Sequence, residues 1–403
     1  MEIVKISPPQ KNELSAKVEL PLSKSILNRQ LIIHALNGTL SELNLPETLP
    51  EDSLLLHEAL NNKNEKVYCG HGGTTFRFLL AYFSLKKKPV VFEGSNRLGN
   101  RPAEPLINAL EQMGHTFIRG KENLFPLTMI PAKEIKTNSI EIEASHSSQF
   151  ISALLLIAPY LPQGLIIKLK GKTVSEPYIY MTIALMEKYG IKTEKFFDGF
   201  KVKPGEYKTK VIDTEGDWSS ASYWIALASL SKKAKIELFP LDEKSIQGDS
   251  KLLDWMDFMG LKYHFNKRHL YIESSGNSSS VPSNLDFSDT PDLMMTMACW
   301  AKAKNMTISM KGLETLAGKE SDRVKTTQME LDKISLSKGG LIAIKESIET
   351  HSDHRIALAM SVFGIFTEIE IQNPDVIRKS YPGYWNDMKQ AGFSVDFYTT
   401  SMY

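Results

Sequence analysis

Glu215-Gly216-Asp217-Trp218-Ser219-Ser220-Ala221-Ser222-Tyr223 passes from a polar turn straight into a helix. Asp, Ser and Thr are favoured at helix N-caps. Ala221, Trp224, Ile225 and Ala228 then recur at the i, i+3, i+4, i+7 spacing of one apolar helix face. Working outward in both directions, the same pattern occurs five more times, at Leu22-Ser23-Lys24-Ser25, Gly70-His71-Gly72-Gly73-Thr74, His146-Ser147-Ser148-Gln149, Thr290-Pro291-Asp292 and His351-Ser352-Asp353-His354. Ile151, Leu154, Leu155 and Ala158 fit the helical template, as do Met294, Met297, Ala298 and Ala301, and Ile356, Ala359, Met360 and Phe363. Between Lys24, Gly73, Ser147, Trp218, Asp292 and Ser352 the intervals are 49, 74, 71, 74 and 60 residues. A period of about 70 is too long for a solenoid. It suits six copies of a small α/β unit, three per domain, with strands such as Leu165–Leu169 and Met306–Met310 between the helices.

The bulk properties agree with two globular domains. The chain has 403 residues, 42% hydrophobic and 24% charged, which exceeds one ordinary core. Lys plus Arg number 48 and Asp plus Glu 47, so the net charge is only +1. There is no general basic field for nucleic acid or an anionic membrane, and an anionic ligand must be met by a local cluster of cations. Two cysteines, Cys69 and Cys299, make neither a disulfide framework nor a Cys-rich zinc site, and read as buried small hydrophobes. Met1-Glu2-Ile3-Val4-Lys5 lacks a signal-peptide core, and the longest apolar run, near Ala153 to Ala158, is far too short to span a bilayer. A cytoplasmic monomer is expected.

Ordinary capping explains any one of these helix starts. The side chains that follow favour anion binding. Ser25 and Arg29 share a helix face, with Lys24 in the same turn. Arg77 lies four residues after Gly73, and Arg355 falls within the first turn after Ser352. Free amides and the helix dipole already favour an anion at an N-terminus, and added Lys or Arg would make an anion-binding cleft if these ends converge. Further cations stand in turns: Arg97 and Arg101 before Pro102, the run Lys319-Glu320-Ser321-Asp322-Arg323, and Lys379 before Ser380-Tyr381-Pro382.

Taken in order, these segments resemble the EPSP synthase family of enolpyruvyl transferases. Pro21 to Arg29 resembles its PGSKSxxNR segment, Gly73 to Arg77 its GTAMR loop and Arg101-Pro102 its ERP turn. Ser147 to Phe150 is similar to SSQF, Ser175 to Ile179 to SKPYI, and Glu215 to Tyr223 to EGDASSASY. Pro291-Asp292, Lys319 to Arg323, Asp353-His354-Arg355 and Lys379 to Pro382 resemble its PD, KESDR, DHR and KTFP. The likeness runs from near the N-terminus to residue 382. There are departures: Leu22 replaces a glycine and Phe78 a proline, while Thr315, Ala317 and Gly318 stand where the family often has Asn, Arg and Val. The interval before Gly73 and the segment between Arg323 and His354 are short against the family and read as trimmed strands or loops.

The resemblance implies an α/β fold of two similar domains, each of three βαβαββ-like units, with the active site in the interdomain cleft. One domain would comprise residues 22–216, the other residues 1–21 plus 217–403. The implied reaction moves the enolpyruvyl group of phosphoenolpyruvate to the 5-hydroxyl of shikimate 3-phosphate and releases phosphate. The implied ligands of shikimate 3-phosphate are Lys24, Ser25, Arg29, Ser147, Ser148, Gln149, Ser175, Asp292 and Lys319. Those of phosphoenolpyruvate are Lys24, Gly73, Arg101, Gln149, Arg323, Arg355 and Lys379. Asp292 is the candidate acid–base group near the hydroxyl and Glu320 near C3, with Lys24 a possible proton carrier. Neither a metal nor an organic cofactor is implied. The related UDP-N-acetylglucosamine enolpyruvyl transferase uses a loop cysteine followed by an arginine, a position that neither cysteine here occupies. A catalytically inactive binding protein on the same fold would not need Lys24, Asp292, Glu320 and Arg355, and an RNA-end-modifying enzyme fits poorly with the neutral charge.

Overall fold

The computed structural model describes all residues except 63–64, 209–212, 276–278, 337–341 and 401–403. The chain divides into two compact units, one formed by Met1–Ser23 with Glu215–Tyr403 and the other by Lys24–Thr214.

Strand register reveals one topology used repeatedly. In the Lys24–Thr214 unit, Lys66–Tyr68 pairs parallel with Val90–Glu93, which pairs antiparallel with Leu127–Ile130, which pairs antiparallel with Thr116–Ile118. The helix Gly73–Ser84 links the first two strands, and Glu104–Gln112 leads to Thr116–Ile118. Ser139–Glu143, Leu165–Lys170, Gly199–Val202 and Thr193–Phe196 repeat the order, with helices Ser148–Ile157 and Glu176–Lys188. A parallel pair must be joined by a crossover and an antiparallel pair can be joined by a hairpin, so each copy is a βαβαββ repeat.

The other unit uses the same order with its chain cut. Glu13–Glu19 supplies the first strand, and Lys233–Phe239, Leu261–Asn266 and His269–Ser274 complete that repeat. In another repeat Ile348 bridges parallel to Ile371 of Ile369–Gln372, and Glu2–Ser7 lies between that strand and Ser394–Thr399. The remaining repeat appears as two separate pairs, Asn284–Asp286 with Ser309–Lys311 and Ile334–Leu336 with Ile342–Ile344. The shortened N-terminal interval is reduced further than trimmed strands would suggest. From Lys24 to Glu65 it contributes helices Lys24–Asn37 and Glu51–Asn61 and, among the described residues, no strand. Of the other short segment, residues 337–341 lie outside the described residues. The strand expected over Met306–Met310 is Ser309–Lys311, because the Met306 amide instead closes the preceding helix on Ala301 O with Asn305 left-handed.

The central helices are more buried than one apolar stripe requires. Every residue of Trp218–Leu230 and of His354–Met360 is buried, as is all of Gly73–Ser84 except Thr74 and all of Ser148–Ile157 except Gln149. A helix that is apolar all round belongs in the middle of a core. Its flanks are covered, so its polar N-terminal turn is where it can meet a ligand. Capping and function coexist there. Asp217, Ser147 and Asp353 each accept a hydrogen bond from an amide of their own helix start.

Candidate active site

In the Lys24–Thr214 unit four helix starts are tied together by side chains. Arg77 Nη1 donates to Gln149 Oε1, Gln149 Nε2 donates to Thr74 Oγ1 at 2.9 Å, and Arg77 Nη2 donates to Pro102 O at 2.6 Å. Gly73 lies under the same groups. A Cβ built there would sit 2.8 Å from Arg77 Nη1 and 3.0 Å from Arg101 Cζ. Gly73, Arg101 and Gln149, separated widely in sequence, are thus neighbours. Ser147 caps the helix that carries Ser148 and Gln149.

Arg29 joins the remaining helix starts. Its Nε donates to Thr182 Oγ1 at 2.7 Å, Nη1 to Ser25 O at 2.6 Å, and Nη2 to Tyr178 O at 3.0 Å and Ser152 Oγ at 3.3 Å. These acceptors are uncharged, and among the described residues no carboxylate pairs with it. Burial pulls the guanidinium down to about 10. Phe78, where the family has a proline, lies beneath it with the ring centroid 5.4 Å from Cζ. A buried cation surrounded by neutral oxygens favours an anion nearby. Ser175 precedes Glu176–Lys188 in a left-handed conformation, φ 52°, which few residues other than glycine adopt. Lys24 is not bare: its Nζ donates to Asp52 Oδ2 at 2.9 Å. Asp52 is absent from the sequence-derived set. Its signal is weak, an acid in the first turn after Pro50, as at many helix starts.

In the other unit Asp292, Glu320, Arg323, Arg355 and Lys379 form one network, its three cations buried and its two carboxylates partly exposed. Arg323 Nη1 donates to Asp292 Oδ1 at 2.7 Å and its Nη2 to Glu320 Oε2 at 2.7 Å. Its Nε donates to Asp353 Oδ2 at 2.8 Å. Arg355 Nη2 donates to Asp292 Oδ2 at 2.8 Å, and Lys379 Nζ to Glu320 Oε1 at 2.6 Å. Burial alone would raise the Asp292 carboxyl, but Arg355, Arg323 and Lys319 hold it well below the usual carboxylate range. Lys319 therefore acts on the same carboxylate electrostatically. Asp249, which accepts from Ser219 Oγ, is pushed up to about 7 by burial and by the neighbouring Asp292 charge. Asp353 and Asp249 were not among the expected site residues. Asp353 lies inside a matched motif, whereas Asp249 in Gln247-Gly248-Asp249 carries no local signal.

Cys69 and Cys299 are both buried, and burial pushes both thiols well up, which removes thiolate chemistry from either. Among the described residues no group of three or more His, Cys, Asp or Glu is arranged to hold a metal ion. Among them, too, no helix is long and apolar enough to cross a membrane.

The sequence profile of EPSP synthase (3-phosphoshikimate 1-carboxyvinyltransferase) matches residues 52–388. This chain belongs to the EPSP synthase family. A 3-phosphoshikimate 1-carboxyvinyltransferase of Bacteroides fragilis strain YCH46 is 35% identical over 400 residues, covering 95% of this chain and 97% of its own. One from Methanothermobacter thermautotrophicus is 31% identical over 408 residues, covering 94% and 96%. The solved EPSP synthase of Acinetobacter baumannii superposes with a TM-score of 0.73 at 19% identity, over 99% of this chain and 100% of that one. Such low identity makes this last likeness evidence for the fold, which is the two-domain α/β architecture of EPSP synthases.

Proposed function

We propose that this EPSP synthase family member transfers the enolpyruvyl group of phosphoenolpyruvate to the 5-hydroxyl of shikimate 3-phosphate, a step of aromatic amino-acid biosynthesis. The observation that carries the reading is the network in which two partly exposed carboxylates, Asp292 and Glu320, are held among the buried cations Arg323, Arg355 and Lys379. Addition–elimination on an anionic enol phosphate needs both kinds of group, cations for carboxylate and phosphate and carboxylates to move protons.

In this reading shikimate 3-phosphate is bound by Lys24, Ser25, Arg29, Ser147, Ser148, Gln149, Ser175, Asp292 and Lys319. Arg29 contributes the charge that its neutral surroundings leave uncompensated. Phosphoenolpyruvate is bound by Lys24, Gly73, Arg101, Gln149, Arg323, Arg355 and Lys379. The 5-hydroxyl oxygen attacks C2 as its proton passes towards Asp292, and C3 takes a proton delivered from Glu320, giving a tetrahedral ketal. Loss of a proton from the new methyl group then expels phosphate, restores the C2–C3 double bond and leaves an enol ether on the 5-oxygen. Lys24, paired with Asp52, would serve as a proton carrier. The enzyme is taken to be a cytoplasmic monomer.

Purified protein should release phosphate only when both substrates are present, and turnover should persist in excess EDTA because fixed cations fill the charge-neutralising role. Activity with UDP-N-acetylglucosamine in place of shikimate 3-phosphate would overturn the reading, and a strict metal requirement would overturn the role given to those cations.

Glyphosate, with a carboxylate and a phosphonate, should compete with phosphoenolpyruvate for the same cations. Gly73→Ala should weaken it. The new methyl would press on the guanidinium ends of Arg77 and Arg101, and Arg77 cannot swing freely because Gln149 and Pro102 hold it. Overpacking of a filled site costs about 1–3 kcal/mol, or roughly 5- to 150-fold in the inhibition constant, and the longer inhibitor should lose more than the substrate. Equal inhibition of both proteins would show that Gly73 does not line the inhibitor's position.

A further inference from the structure

Glu330 lies on the helix Arg323–Asp332 with its side chain only 1% exposed, while Val324 and Met329 of the same helix face solvent. Hydropathy would turn this helix the other way, so the acid is kept inside by its partners. Its Oε1 accepts from His351 Nε2 at 2.8 Å. Its Oε2 accepts from the Glu349 amide at 2.9 Å and from Lys333 Nζ at 2.7 Å. Two of these three partners, Glu349 and His351, lie at the entry to a single turn.

That turn is unusual in its backbone. His351 and Ser352 are consecutive and both left-handed, with φ of 50° and 56°. Residues with a Cβ enter this region at a cost and stay there when their surroundings hold them. Asp353, the next residue, caps the helix His354–Met360 by accepting from the Arg355 amide at 3.0 Å. The Arg355 guanidinium, one residue into that helix, donates to Asp292 Oδ2 at 2.8 Å. Where Arg355 begins is therefore set by the His351-Ser352 turn.

The helix Arg323–Asp332 grips the segment 349–355 at two points. Arg323 and Glu330 are seven residues apart, two helical turns, and share one face. Arg323 holds Asp353, and Glu330 holds Glu349 and His351. Lys333, from the following turn, adds a cation to the buried Glu330 carboxylate.

We propose that Glu330, through His351 and the Glu349 amide, is a positioning residue that holds the left-handed turn before Asp353 and so places Arg355 for the anionic groups of phosphoenolpyruvate. This rests on the functional reading above. Glu330 touches no substrate in it. Its contribution is felt through Arg355, and it should therefore act on one substrate and spare the other.

The test is Glu330→Gln in the full chain, with steady-state kinetics in both substrates. A small misplacement of a substrate-binding group can cost up to about 10²-fold, so the KM for phosphoenolpyruvate should rise roughly 10- to 100-fold while that for shikimate 3-phosphate changes less than about twofold. Adding Ser352→Gly should recover much of the lost affinity, because glycine holds a φ near 56° without a Cβ penalty. Backbone hydrogen exchange should also quicken at residues 349–355 in Glu330→Gln, and that readout does not depend on turnover. An unchanged KM for phosphoenolpyruvate in an active Glu330→Gln enzyme would overturn the proposal. So would parallel rises in both KM values with no rescue by Ser352→Gly, the mark of general loosening. If the wild-type protein released no phosphate, the functional reading would fall. Exchange would then decide the holding role, and unchanged protection at 349–355 would remove it.

Discussion

Asp292→Asn and Glu320→Gln should each lower kcat by roughly 10²-fold or more, the usual scale for losing a general acid or base. Each substitution preserves shape and removes the titrating group. Asp292 is held as a carboxylate by Arg355 and Arg323, so in the resting protein it is a weak base. In the proposed reading phosphoenolpyruvate brings negative charge to those same arginines. With their charge answered by the ligand, they hold Asp292 down less, and its affinity for a proton rises when the 5-hydroxyl needs a base. The direction of the effect gives a second readout. The acid limb of kcat, which reports the loaded enzyme, should lie at higher pH than that of kcat/KM, which reports the free enzyme. Glu320 is bound differently, between Lys379 and Arg323, and its replacement by glutamine also removes a negative charge beside both cations. Glu320→Gln should accordingly bind phosphoenolpyruvate no worse than wild type while turning over slowly. Near-normal kcat in either variant, with the urea midpoint unchanged, would take that residue out of the mechanism.

What could be read in the sequence is largely a matter of locality. Helix starts announce themselves within a few residues, by Asp217 before Trp218, Ser147 before Ser148 or Gly73 before an apolar run, because capping is a short-range interaction. The repeat length followed from those starts, and the strands between them were legible where β-branched residues ran together, as at Leu165–Lys170. The failures are long-range. Nothing near Asp52 shows that it meets Lys24, 28 residues away in sequence. Asp249 reads as a surface acid until Ser219 and Asp292 are seen beside it. Glu330 misleads outright: with Gln328 and Asp332 as neighbours it looks like a solvated helix face, yet it is buried while Met329 is exposed. The lack of strands among the described residues between Lys24 and Glu65 was foreshadowed by the short interval, but a count of residues cannot say which elements a shortened repeat gives up.

Arg323→Met should be the most damaging single substitution to stability, with a loss of about 3–5 kcal/mol at neutral pH, the range for removing one partner of a buried ion pair. Arg323 is 2% exposed and donates to three carboxylates, Asp292, Glu320 and Asp353. Methionine fills much of the volume and leaves all three without that donor. Two of them keep another cation: Asp292 retains Arg355 and Glu320 retains Lys379. Asp353, fully buried, keeps the Arg355 amide and Ser321 Oγ, and it should account for the largest share of the loss. Arg323→Lys should fall between, since a single ammonium cannot span three acceptors as a planar fork does. Linkage gives the dependence on pH. The folded-state Asp292 carboxyl is depressed, partly by Arg323, so its stabilising contribution is present above the unfolded value of about 3.9 and is lost as pH falls below it. The gap between wild type and Arg323→Met should therefore be full at pH 7 and shrink below about pH 4. All five tryptophans, Trp218, Trp224, Trp255, Trp300 and Trp385, belong to the unit that contains Arg323, so their fluorescence follows the relevant unfolding transition. A tryptophan transition with the wild-type urea midpoint at pH 7 would mean that the three carboxylates find other partners and that Arg323 serves binding alone.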